Sequence, residues 1–274
     1  MSDKVQKLLC LILLAAVVAV GLLGYRKDRQ DRAKLLAAKT AYEQKEDEEK
    51  EAEEEKAEEQ KEAEAAEEEK KADPFTELRV ISLGDGISKD GIYQNKLKTA
   101  LNLKEVVNKA NNGVQMNTMI SEVSGDELKN TDLVLVHAGI NDYTKSTYIG
   151  YASDDKSVDS YCGSIKNLIA SIKSANGDAK IIFMTPQKHG DVEGQASYPN
   201  PNYQGNYLDD YVNAIKSVCS NEGVTVIDLF SESGIESSNI TQYTSDNLHL
   251  NDAGAQKVAD CIVKSLKTVY TKSE

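Results

Sequence analysis

The stretch Asp246-Asn247-Leu248-His249 sets a carboxylate three residues before an imidazole, close enough for the two side chains to meet. Acyl transfer needs such a pair. The imidazole acts first as general base and then as acid, while the carboxylate fixes its tautomer and steadies the imidazolium. The tetrahedral oxyanion needs preorganised donors. Three candidates each follow an apolar run: the Gly86 N–H, the Gly113 N–H and the side-chain amide of Asn141. Glycine lets backbone approach a ligand with no Cβ in the way. The group in question is the nucleophile. "LGDGIS" (83–88) looks like a strand running into an active-site turn, but at Gly86, where a serine is expected, there is no side chain.

These residues need a scaffold that brings distant stretches together. Short apolar runs occur at 79–83, 133–138, 180–184 and 224–229, with a weaker one at 105–110. Between them lie helical patterns at about 92–102, 156–175, 207–220 and 251–269. Strands alternating with helices predict a parallel sheet with helices on both faces, and near-continuous apolar strands fit a sheet buried on both sides. Ligands in such sheets sit beyond the carboxyl ends of the strands. That edge would collect Gly84-Asp85-Gly86, Asn111-Asn112-Gly113, Gly139-Ile140-Asn141-Asp142 and, before a last helix, "SDNLHLNDAG".

In order and spacing these blocks resemble the SGNH/GDSL hydrolases, a family of esterases, lipases, carbohydrate deacetylases and related acyltransferases. The resemblance covers 75–274 and implies a flavodoxin-like α/β fold, a three-layer α/β/α arrangement with a five-stranded parallel sheet. It implies that Gly113 and Asn141 match the oxyanion-hole residues and that Asp246 and His249 match the base pair. The family's serine falls on Gly86, and a glycine usually found slightly downstream falls one position late, at Gly91. Three readings of Gly86 stay open. The domain binds an acyl-ester ligand without hydrolysing it, as a pseudoenzyme and interaction module. Alternatively, Ser88 or a water replaces the hydroxyl; Ser88 should point away, so water is the better of those two. Or the glycine stands as a variant of a natural serine.

Tyr143, Tyr148 and Tyr203, in the loops that follow the third and fourth strands, could stack on sugar rings, which would make O-acetylated carbohydrate the ligand class; equally, they could pack the loops. His137 lies inside a strand and reads as a core histidine, Asp85 as a cap, and Asp142 as a support for Asn141. His189 with Asp191 is too small a set for a metal site, so no metal and no cofactor are expected.

The remaining features concern attachment. Net charge is −13 over 274 residues. Residues 1–40 hold 8 basic and 3 acidic residues, and 41–72 hold 6 basic and 16 acidic, which leaves 73–274 at −8. No basic stripe runs through that last part, which argues against a nucleic-acid partner. Residues 8–24 are apolar without a charge and read as an uncleaved transmembrane anchor rather than a signal peptide. The Glu/Lys/Ala-rich 41–72 reads as a solvated helical stalk or as disorder driven by like charge, with no apolar seam for a stable coiled coil. The expected division is anchor 1–27, stalk 28–74 and domain 75–274. Basic residues after the apolar run favour a cytoplasmic domain by the positive-inside rule, whereas a polysaccharide ligand favours an extracytoplasmic one. Cys10, Cys162, Cys219 and Cys261 show no metal spacing and read as free thiols, with a Cys219–Cys261 pairing left open, as is the oligomeric state.

Overall fold

The computed structural model describes residues 11–14, 16–30, 32, 34–36, 39–40, 44–45, 50, 56–57, 60–61 and 73–271. Contacts divide the chain into two units, Met1–Ala72 and Asp73–Glu274. Of the expected anchor 1–27, residues 1–10 and 15 lie outside the described residues; 11–14 and 16–27 are helical and exposed. Among the described residues no helix is long and apolar enough to cross a membrane. Most of the expected stalk also lies outside them; its described positions up to residue 61 are helical, and Asp73 and Pro74 are not.

The second unit is built on five strands: β1 (Arg79–Gly84), β2 (Glu105–Asn108), β3 (Leu133–His137), β4 (Lys180–Met184) and β5 (Thr225–Ile227). They form one parallel sheet in the order β2-β1-β3-β4-β5. Every residue of β3 is buried, and β1 is buried after Arg79, as expected of central strands covered on both faces. The edge strand β2 is only half-buried.

Four longer helices cover the sheet: α2 (Ile92–Ala100), α5 (Tyr161–Ala175), α6 (Leu208–Asn221) and α9 (Asp252–Thr271). α2 packs on α9, and α5 packs on α6. Right-handed crossovers run one way from β1 to β2 and the other way from β3 through β4 to β5, so the two pairs fall on opposite faces. The result is a three-layer α/β arrangement. One cluster of buried apolar side chains fills both interfaces, including Leu83, Leu133, Leu135, Phe183, Ile165, Ile215, Val258 and Ile262. Cys162, Cys219 and Cys261 are buried in the domain as free thiols, so the Cys219–Cys261 bridge is not formed.

The differences from the expected elements have local causes. α5 begins at Tyr161, not 156, because the Ser160 hydroxyl caps it by accepting from Gly163 N at 3.0 Å. β5 stops at Ile227 because Asp228 caps the short α7 (Leu229–Glu232). The unexpected α3 (Gly125–Lys129) carries a reciprocal Ser124/Glu127 capping box, a spacing legible in "SGDE". Further short helices are α1 (Gly86–Lys89), α4 (Ile140–Thr144) and α8 (Ile240–Tyr243).

Gly139 links β3 to α4 at φ +124°, and a Cβ there would lie 2.6 Å from the Tyr161 hydroxyl. Gly139→Ala is therefore expected to destabilise the domain by about 2–4 kcal/mol. Gly125→Ala, where nothing lies within 4 Å of the added methyl, should stay within about 0.5 kcal/mol. Denaturant melts of the two variants check the contrast.

Candidate active site

The carboxyl ends of β1 and β3 finish together, with Gly84 opposite His137. Beyond Gly84, Asp85 caps α1 by accepting from Ile87 N at 3.1 Å, which turns the chain so that Gly86 opens the helix. The loop after β2 continues along the end of β1 through Asn111 N donating to Gly84 O at 3.1 Å. It then reaches Gly113 at φ +73°, a conformation suited to glycine.

α4 and its C-cap Lys145 hold that loop at three points. Asn141 Nδ2 donates to Val114 O at 3.0 Å, Met116 N donates to the Asp142 carboxyl at 3.1 Å, and Lys145 Nζ donates to Gly113 O at 2.8 Å. Asp142 thus anchors the glycine loop directly rather than steadying Asn141.

The Asp246–His249 turn is closed by an antiparallel bridge between Thr244 and Leu250. Asp246 Oδ1 accepts from Leu248 N at 3.1 Å and His249 N at 2.7 Å, while Oδ2 lies 2.7 Å from His249 Nδ1. Nδ1–H therefore donates to the carboxylate, and Nε2 presents its lone pair. Asn247 adopts φ +68° inside the turn. It accepts from Gly190 N at 2.8 Å and donates from Nδ2 to Asp191 O at 3.0 Å, which ties the turn to the segment after β4.

These pieces meet at Gly86. A Cβ built on Gly86 would lie 3.1 Å from His249 Nε2 and 3.0 Å from Asn112 Oδ1. The first contact brings the Asp246–His249 turn, which lies beyond β5 and two short helices, against the turn after β1. Asn112 was not singled out in the sequence; its position beside Gly113 was the only available signal.

The other expected residues divide. Ser88 is fully buried and points into the core, where Tyr93 donates to its hydroxyl at 2.9 Å and the hydroxyl lies 3.1 Å from His137 Nδ1. It cannot replace a hydroxyl at position 86. His137 is a core histidine, its other nitrogen 3.0 Å from Gln187 Oε1 and its pKa pushed down by burial to about 4. His189 is buried, with Nδ1 on Gly190 O at 3.0 Å, and among the described residues no three His, Cys, Asp or Glu side chains are placed to hold a metal. Tyr143 must be corrected as a stacking platform: it is 0% exposed, its hydroxyl donates to Asn200 O at 2.5 Å and its ring packs edge-on to His189 and Tyr211. Tyr148 and Tyr203 are exposed, and Tyr148 lines a groove with Tyr151, Asn206 and Asp210 that includes no member of the Gly86–His249 set.

Two carboxyls are buried behind the site. Burial pushes Asp85 up to about 7, against the Ile87 N–H and the His249 charge. Burial likewise pushes Asp142 up to about 7, offset by the Met116 N–H and reinforced by Asp85. Burial also acts to raise Asp246, but the hydrogen bonds from His249 and Leu248 outweigh it and hold that carboxyl below its usual value. The signs are opposite. Asp85 and Asp142 keep their protons in the folded chain after the unfolded chain has lost them, so their contribution declines as pH rises from 3.8 to about 7. The Asp246 contribution is present above the ordinary carboxylate range and is lost as pH falls through its folded value. Asp142→Asn, which keeps an acceptor for Met116 N, should accordingly raise Tm relative to wild type more at pH 8 than at pH 5; calorimetry at the two values reads this.

Residues 81–257 match the model of the GDSL-like Lipase/Acylhydrolase family. No curated protein matches the chain. Among solved structures, it is similar to a protein from Lactobacillus plantarum at 20% identity and TM-score 0.64, covering 71% of this chain and 98% of that one. It is also similar to a possible lipase from Chitinophaga pinensis (20% identity, TM-score 0.58, 70% and 99% covered). A third is a lipase/acylhydrolase from Enterococcus faecalis (17% identity, TM-score 0.51, 70% and 96% covered). At such identities these likenesses carry the fold alone. The family match, which extends from β1 into α9 over more than half of the chain, carries more: this chain belongs to the GDSL-like lipase/acylhydrolase family.

Proposed function

We propose that the domain binds acyl esters at the Gly86–His249 site and hydrolyses them slowly, with water in the role that a serine at position 86 would otherwise play. The observation that carries this reading is the His249 Nε2 lone pair 3.1 Å from the Cβ position of Gly86, with Nδ1 held by Asp246. In this reading the Gly86 N–H, Gly113 N–H and Asn141 amide receive the oxyanion. Asn141 spends one amide proton on Val114 O and keeps a second for substrate. The fold is then flavodoxin-like in strand order.

The bare Gly86 favours a second reading, in which the site binds an ester without turnover. Esterase assays on the full chain with a chromogenic short-chain acetyl ester separate the two. Hydrolysis through His249 predicts that His249→Ala lowers kcat by about two orders of magnitude. Pure binding predicts no effect of that change. Gly86→Ser is expected to raise kcat by about a hundredfold or more and to confer labelling by a fluorophosphonate. The new Cβ lies 3.0 and 3.1 Å from flexible side chains, which must retreat by a few tenths of an ångström.

The uncharged 8–24 run supports a membrane anchor and the acidic, helix-forming 41–72 a spacer; a carbohydrate ester would place the domain on the extracytoplasmic side, against the basic residues that follow the run. Of the tyrosines, the exposed Tyr203 supports O-acetylated carbohydrate as the ester, whereas Tyr148 belongs to the separate groove. External protease should then degrade residues 73–274 in intact cells; full protection would reverse the orientation.

A further inference from the structure

We propose that Asn112 is a further catalytic residue: its side-chain oxygen and His249 Nε2 together hold the attacking water, and this pair of acceptors selects water over alcohols as nucleophile. The inference rests on the reading of the site as an ester hydrolase.

The argument is one of donors and acceptors. Measured from the Cβ position of Gly86, Asn112 Oδ1 lies at 3.0 Å and His249 Nε2 at 3.1 Å, so both face the bare Cα. His249 commits its proton to Asp246 through Nδ1 at 2.7 Å, leaving Nε2 as an acceptor. An amide oxygen is an acceptor only. A nucleophile that satisfies both must bring two protons. Water has two; an alcohol or serine hydroxyl has one and leaves Asn112 Oδ1 unmatched. The backbone around Asn112 is pinned on both sides. Asn111 N donates to Gly84 O at 3.1 Å, Asn112 N to Asn111 Oδ1 at 3.0 Å, and Gly113 O accepts from Lys145 Nζ at 2.8 Å.

The step balances with water as the sole co-reactant. The water oxygen bonds to the ester carbonyl carbon as one of its protons passes to His249 Nε2, while the other remains donated to Asn112 Oδ1. The carbonyl electron pair moves to oxygen as an oxyanion. That pair then returns, the bond to the alcohol oxygen breaks, and His249 delivers its proton to the departing oxygen. The products are a carboxylic acid and an alcohol.

The test uses the full chain and p-nitrophenyl acetate in buffer with and without methanol. Asn112 is exposed, so Asn112→Ala should fold, as thermal melts will check. Asn112→Ala is expected to lower kcat about tenfold at unchanged KM, the effect of one hydrogen bond made to the nucleophile. Asn112→Asp, which retains an acceptor, should recover most of that loss. With methanol present, the wild type should yield almost only acetate, and Asn112→Ala a larger share of methyl acetate. An unchanged kcat, a loss confined to KM, or equal methyl acetate shares, with dependence on His249 intact, would overturn the role of Asn112 alone. Absence of His249-dependent turnover in the wild type would overturn the role of Asn112 together with the hydrolytic reading on which it rests.

Discussion

The pairing of β1 with β3 is the constraint on which the site depends. Hydrogen bonds in a parallel ladder are evenly spaced, so strand register becomes loop register. With Gly84 opposite His137, the Asp85–Gly86 turn and the Gly139–Asn141 turn leave the sheet side by side. A slip of one residue would move Leu83 and Leu135, both fully buried, to the opposite faces, at the cost of their apolar packing. The core therefore holds the register, and the register places the amides.

Two polar devices turn that rough placement into a site. One is α4 with its C-cap, which reach the glycine loop through Asn141 and Asp142 of the helix and Lys145 just after it. The other is the turn at Asn247, whose left-handed backbone folds Asp246 under His249 while its side chain and carbonyl tie the turn to residues 190 and 191. A non-glycine residue at positive φ is strained, and asparagine is among the least penalised there. The hydrogen bonds on either side of Asn247 hold it in that conformation.

Burying Asp85 and Asp142 behind these loops disfavours their charged forms. Each carboxyl nonetheless does structural work, one by capping α1 and the other by gripping Met116 N. Both carboxyls therefore change charge near pH 7, one at the turn after β1 and the other against the glycine loop.

Much of this was legible in the residues alone. Apolar runs located all five strands, and their alternation with helical patterns implied a parallel sheet. The three-residue spacing of Asp246 and His249 implied their contact, because such short separations leave side chains within reach in any tight turn. Glycines after strands marked the edge where the candidate site lies. What sequence could not decide depended on groups far apart along the chain. The buried directions of Tyr143 and Ser88 follow from packing against Tyr211 and His137, partners 68 and 49 residues away. Asn112 and its approach to Gly86 depend on how the β2 loop lies against β1. Spacing reports neighbours within a turn or a helix; only the closed sheet and its packed layers determine which distant side chains share a few ångströms of space.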